Sequence, residues 1–440
     1  MMLREFAACL GVAIMCASST AYGQLYGDQL VSDAYPAVGT DVIPAGLVQK
    51  SFGGGCSGCG AAGKSGSCGC DVGGKGKGSC CYLFGPDEPF ELFSGIGGGH
   101  RGIDFGGWIQ VGSHSSGVNG TGTGLFNNRP NQIQAHQMWA YLEKGVDTDG
   151  VGWDWGFRVD YMYGTDGQDT QAFGNSVDVN GLPSKWDNPW DHGSLVNGYG
   201  FAIPQAYIQI GRNDLTITAG HFYTIIGYEV VPAPDNFFYS HVRNMALNEP
   251  FTHHGVLGEW NRNECTTIWL GYVLGWDTGF DRNGGSAILA GISRQVTDRL
   301  KVISTLIWGD FGNDTGPPPL QGSDNDAYMM STVIDWIVSD RIEIVAQVDY
   351  QNNTIGVGGR GKAWSLNNYL FYTFSDCLKA GVRGEWFNRG GNESGQLTAG
   401  FNYRPHANIV VRPEVRYDAS DGGNGRRDTT LFGVDCIVIW

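Results

Sequence analysis

Residues 153–164, WDWGFRVDYMYG, sort by parity into two sets. Trp153, Trp155, Phe157, Val159, Tyr161 and Tyr163 form one set; Asp154, Gly156, Arg158, Asp160, Met162 and Gly164 form the other. Successive strand side chains point to opposite faces, so this stretch reads as a strand with one bulky apolar face and one charged or small face. A soluble sandwich strand also alternates. Six bulky residues on one face suit a strand whose apolar side meets lipid and whose polar side meets a lumen.

The phase recurs toward the C-terminus. Tyr328, Met330, Thr332, Ile334, Trp336 and Val338 share a face, and Ile342, Ile344, Ala346, Val348 and Tyr350 lie opposite Glu343, Gln347 and Asp349. Leu378, Ala380, Val382 and Trp386 lie opposite Lys379, Arg383 and Glu385; Ile409, Val411, Val415 and Tyr417 lie opposite Arg412, Glu414 and Arg416. Short polar connections fall near 146–150, 211–214, 261–264, 297–299, 339–341, 375–377 and 404–407, three of them repeating one phrase: VTDRLKV, VSDRIEI, FSDCLKA. Long ones, rich in Gly, Asn, Asp and Pro, fall near 113–132, 165–199, 223–253, 277–286, 310–326, 351–361, 388–395 and 419–428. The count is about sixteen strands with short and long connections in strict alternation, the rule of outer-membrane barrels. The expected fold is all-β: a transmembrane antiparallel barrel of about sixteen strands over 101–440, with an inward-folded constriction loop. In the last strand Phe432, Val434, Cys436, Val438 and Trp440 share a face, and Phe432 with the terminal Trp440 reads as the signal for the barrel assembly machinery.

Composition agrees. Of 440 residues, 70 are Gly, 12% are aromatic and only 16% are charged, against about 25% charged in an average soluble chain. The formal net charge of -16 argues against a nucleic-acid partner and favours cations in a lumen. Arg4, the apolar run Ala7–Ala17 and Ala21-Tyr22-Gly23 read as a signal peptide over 1–23, with Gln24 the first mature residue. Residues 24–100 read as a Gly/Cys-rich linker whose last part, 82–100, is a candidate plug segment. Six cysteines, Cys56, Cys59, Cys68, Cys70, Cys80 and Cys81, are expected to pair as disulfides, with metal binding the lesser alternative; Cys265, Cys377 and Cys436 are expected to stay free. Gly58 to Ser65 fits the phosphate-loop pattern by letter, but no apolar strand precedes it and no helical pattern follows.

The interval Gly220–Gly255, GHFYTIIGYEVVPAPDNFFYSHVRNMALNEPFTHHG, is the longest without clean alternation. Pro232, Pro234 and Pro250 cannot donate to a ladder, and a loop of this length inside a compact protein is commonly functional. It carries Glu229, Asp235 and Arg243, while Arg383, Arg404, Arg412 and Arg416 share the inward parity of the wall. These seven are the candidate constriction and pore-lining residues, acids on the loop facing arginines on the wall.

GHFYTIIGYEVVPAPDNFFYS and PFTHHGVL, with WAYLEK and FAIPQAYIQIG upstream, resemble the OmpL-like β-barrel porin family common in planctomycetes. The resemblance covers about 100–440 and is most specific over 201–258. It implies an outer-membrane porin passing small solutes or ions, with lipid around it, no cofactor and, by analogy with barrels of this size, a homotrimer. In sixteen-stranded porins, which the arrangement also resembles, the connection between strands five and six folds inward. The alternatives are a structural or adhesive surface barrel and, less favoured, a barrel hydrolase; no G-x-S-x-G and no H-E-x-x-H occur in the chain.

Overall fold

The structure is a computed structural model. It describes residues 102–115, 126–127, 129–148, 150–177, 183–185, 198–279, 285–312, 326–353, 362–422 and 425–440. The expected signal peptide, the cysteine cluster and the phosphate-loop match lie outside these residues.

Sixteen antiparallel strands close on themselves. They are β1 (Asp104–His114), β2 (Gln134–Lys144), β3 (Trp153–Gly164), β4 (Gly200–Ala202 and Ala206–Arg212), β5 (Leu215–Tyr223), β6 (Thr252–Asn263), β7 (Thr266–Val273) and β8 (Ser286–Thr297). There follow β9 (Leu300–Asp310), β10 (Ala327–Ser339), β11 (Ile342–Asn352), β12 (Lys362–Ser375), β13 (Leu378–Arg389), β14 (Asn392–His406), β15 (Ile409–Gly422) and β16 (Gly425–Ile439). Each pairs with its sequence neighbours, and β1 pairs with both β2 and β16, Trp108 opposite Ile439 and Asp104 opposite Glu143. Trp440 extends the closing seam, exchanging main-chain bonds with Gly107 at 3.0 and 3.2 Å. β4 is two pieces on one partner, because Pro204 removes a ladder donor; the freed Gln205 carbonyl accepts from Asp160 N–H at 2.9 Å.

The barrel is apolar outside and polar inside. In β3, Trp153 is 68% and Trp155 55% exposed, whereas Arg158 is 5% and Asp160 0%. Water-facing sheets show the reverse, so the outward face suits hydrocarbon. Trp308, Tyr328, Tyr350 and Trp364 cluster at the long-loop end, and Trp153, Trp155, Trp260 and Phe374 sit toward the other, the two girdles of a spanning barrel. Strands of 11 to 15 residues, as in β9 to β16, meet or exceed the roughly nine to eleven a tilted strand needs to cross. No described helix is long and apolar enough to cross.

Two connections are tighter than composition suggests. The stretch near 388–395 is a two-residue turn: Gly390 and Gly391 have φ of 57° and 84°, which only glycine adopts at no cost, so the ladder runs to Arg389 opposite Asn392. Near 419–428 the ladder likewise runs to Gly422 opposite Gly425.

Candidate functional site

Residues 224–251 join β5 to β6, and most are buried. Apolar packing holds one side: Ile225, Ile226, Val230 and Val231 share a cluster with Leu257, Trp269, Leu289, Ile303 and Ile307 of β6 to β9. Those wall residues have the buried parity, alternating with outward residues such as Val256, Leu270, Ile288 and Trp308. The segment therefore lies against the inner face.

The other side is held by polar groups of β2 and β11 to β16. Arg383 Nη1 donates to Glu229 Oε1 at 2.7 Å and to the Ser240 carbonyl, and its Nη2 donates to Ser240 Oγ at 3.0 Å. Arg412 donates to the carbonyls of Ala233 and Asn236 at 2.8 and 2.7 Å and pairs with Asp435. Arg416 donates to the His241 carbonyl at 2.9 Å and to Asp418 at 3.0 Å. Wall acids accept the loop's amides in turn: Glu414 takes the N–H groups of Tyr239 and Ser240, and Glu385 those of Arg243 and Asn244, which open the short helix Arg243–Asn248. Gln137 spans both polarities, donating to the Val231 carbonyl at 2.8 Å and accepting from Ala233 N–H at 3.0 Å. An inserted segment has no ladder to satisfy its backbone, so the wall supplies partners.

Small residues make room for its rings. A Cβ on Gly381 would stand 2.5 Å from Phe237, and one on Gly433 or Gly112 within 2.8 or 2.9 Å of Tyr239. The Tyr239 hydroxyl meets His136 Nε2 at 2.6 Å, and Asp166 takes the other ring nitrogen at 2.9 Å.

Of the seven sequence candidates, Glu229 and Arg383 touch rather than face each other across water. Arg383, Arg412 and Arg416 are 0%, 1% and 2% exposed, so they brace the loop instead of lining an open passage. The reason is the joint's low polarity: opposite charges brought there close to contact. Burial alone would raise the Glu229 carboxyl, but Arg383, then His241 and the Val242 N–H, hold it down at about 2. Asp235 is exposed and Arg243 partly so, its guanidinium 3.9 Å from Asp418. Arg404 stands apart at the short-turn end, half-buried, its N–H bonded to the Cys377 carbonyl at 2.9 Å. Sequence reading assigned Glu385 and Glu414 the inward parity without a role and did not single out Gln137, His136 or Asp435; for the three acids, inward parity beside a long proline-containing loop was the available signal. Phe432 is 64% exposed on the outer face. One cysteine differs from expectation: Cys265, in the β6–β7 turn, is disulfide-bonded, while Cys377 and Cys436 are free. Its partner lies outside the described residues. Among the described residues no three His, Cys, Asp or Glu side chains gather to hold a metal.

Residues 102–439 match the family described as "Putative beta-barrel porin-2, OmpL-like". The chain belongs to this family. Of solved structures, it is similar to the outer membrane channel DcaP of Acinetobacter baumannii: 13% identity, 77% of this chain and 97% of that one, TM-score 0.51. A mutant Rh. blastica porin aligns over 77% and 100% of the two chains at 12% identity and TM-score 0.47. No curated protein matches. At these identities the DcaP likeness supports the barrel fold alone; family membership makes this OmpL-like chain a porin-type barrel.

Proposed function

We propose that this OmpL-like barrel is an outer-membrane porin, a water-filled channel for passive diffusion of small hydrophilic solutes and ions, with a preference for cations. The observation that carries the reading is the segment 224–251 braced against the inner wall of a closed, lipid-facing barrel, where it narrows whatever passage remains. A purely structural or adhesive barrel would need no such insert. The cation preference rests on Asp235, the loop acid that meets water. Glu229, neutralised by Arg383, adds little field; Arg243 opposes Asp235. The DcaP structure is described as an outer membrane channel, which fits this reading. A signal peptide over 1–23, a linker over 24–100, Trp440-directed assembly and a homotrimer complete the proposal.

The test is purified protein in a planar bilayer. Discrete conductance steps and a cation-directed reversal potential across a salt gradient are expected, and Asp235→Asn should move that potential toward anions more than Glu229→Gln does. A barrel that inserts and never conducts would refute the channel.

A further inference from the structure

Five buried acids of the lumen are neutralised by arginine, Glu229 by Arg383, Asp435 by Arg412, Asp418 by Arg416, and Glu143 and Asp160 by Arg158, while Glu385 and Glu414 each take a pair of loop amides. Glu249 and Asp349 differ from all of these, since each meets another acid. Glu249 follows the loop's short helix, Asp349 points inward from β11, and they are 7% and 0% exposed. Gln347 Nε2 donates to Glu249 Oε1 at 2.6 Å and to Asp349 Oδ2 at 2.7 Å. Asn244 Nδ2 donates to the same two oxygens. Two oxygens that share two donors in this way are neighbours.

Among the described residues, the groups named around them carry no positive charge to spare. The loop presents Asn244, Glu229 and Gly227, whose hydrogen faces the Glu249 carboxyl; a Cβ there would stand 2.2 Å from Oε2. The wall presents Ser331 of β10, Gln347 of β11, and Ser365 and Tyr369 of β12. Arg383, the nearby cation, is committed to Glu229 and Ser240. Two ionised carboxylates in contact, both desolvated, would repel with only neutral donors to offset it.

We propose that Glu249 and Asp349 hold one proton between them at neutral pH, and that this proton keeps the C-terminal arm of the loop on the wall. One carboxyl keeps its O–H and donates it to the other, so the pair carries one negative charge, solvated by the two amides. The proton comes from water and returns there. Glu249 and Asp349 are thus positioning residues. Burial, then the Asp349 charge, hold the Glu249 carboxyl well above the usual carboxylate range. A group raised in the folded state gives its full stabilisation below its unfolded value, about 4.3, and loses it as pH rises through the folded value. The seat therefore weakens on the alkaline side.

The electrical part of the test rests on the pore reading; the spectroscopic part does not. Full-length protein in liposomes is followed by infrared spectroscopy and single-channel recording from neutral to alkaline pH. A protonated-carboxyl band present at neutral pH should vanish on alkalinisation, in the same window in which the current becomes noisy or steps to a higher level. Glu249→Gln, whose amide mimics the neutral acid, should remove the band and the transition while keeping a quiet channel; Asp349→Asn should do the same by the other partner. A band or transition that survives in both variants overturns the proposal. So does a neutral-pH seat that a chelator releases and calcium restores without any such band, since a metal ion would then hold the carboxylates together. Absence of current at every pH would instead refute the pore, leaving the band to decide the proton.

Discussion

Replacing Arg383 with Met tests whether the loop is a braced insert. Arg383 is fully buried, and its guanidinium binds Glu229 at 2.7 Å, Ser240 Oγ at 3.0 Å and Thr398 Oγ1 at 3.1 Å, as well as the Ser240 carbonyl. Met keeps much of the volume and removes the charge. Glu229 then remains buried without its cation, and losing one member of a buried pair costs about 3–5 kcal/mol. At about 1.4 kcal/mol per tenfold, the seated-to-free equilibrium of the loop falls roughly a hundred- to several-thousand-fold. The ladder bonds of β13 to its neighbours are main-chain and survive, so the barrel itself should assemble and resist detergent as before. The assays are single-channel noise and protease cleavage within 224–251 of inserted protein. We expect a flickering channel and a newly cleavable loop. Glu229→Gln should be milder, because Arg383 keeps its Ser240 and Thr398 partners, and the double variant should fall short of the two effects added. A quiet, protected Arg383→Met channel, or strict additivity, would refute the brace.

Other consequences follow from the same contacts. Because Glu229 is held at about 2, its contribution to the seat is complete above the unfolded value of about 4.3 and is lost as pH falls through about 2; channel noise should rise only in strong acid, and Glu229→Gln should abolish that rise. Gly433→Val puts side-chain atoms where Tyr239 stands 2.8 Å away, so protease access to the loop should increase while heat-modifiable gel mobility of the barrel stays unchanged. Trp440→Gly should lower the amount reaching the membrane more than the stability of what arrives, measured by fractionation against urea resistance; equal insertion would remove Trp440 as an assembly signal. Cys265→Ser should expose one additional reactive thiol elsewhere in the denatured, unreduced chain, counted by mass after alkylation.

The barrel was legible because lipid inverts the usual rule. A face that must meet hydrocarbon prints bulky residues at every second position, and in β3 that print runs unbroken from Trp153 to Tyr163. Connection length was less legible. Asn388 to Gly395 is rich in Gly and Asn whether the chain wanders or turns in two residues; positive φ at Gly390 and Gly391 decided for the turn, and composition does not encode φ. The loop's joint with the wall was illegible for a different reason. Gln137 reaches Ala233 across 96 positions and Arg412 reaches it across 179, and neither distance leaves a local pattern.

That last point changes what the chain's charge means for passage. Counted along the sequence, -16 suggests an acidic lumen throughout. In the folded chain Glu229, Glu143, Asp160, Asp418 and Asp435 are each spent on an arginine, and Glu385 and Glu414 on pairs of loop amides. Charges paired at contact act as short dipoles, whose field fades faster with distance than that of a lone charge. An ion in the passage therefore responds more to charges that meet water, among them Asp235 and Arg243 on the loop and Arg404 near the short turns. These carry both signs at different depths, so selectivity depends on which one lies at the narrowest point, not on the sum. Moving a charge at Asp235 should alter selectivity where adding the same charge to an outer connection does not, since water screens the latter over about 8 Å.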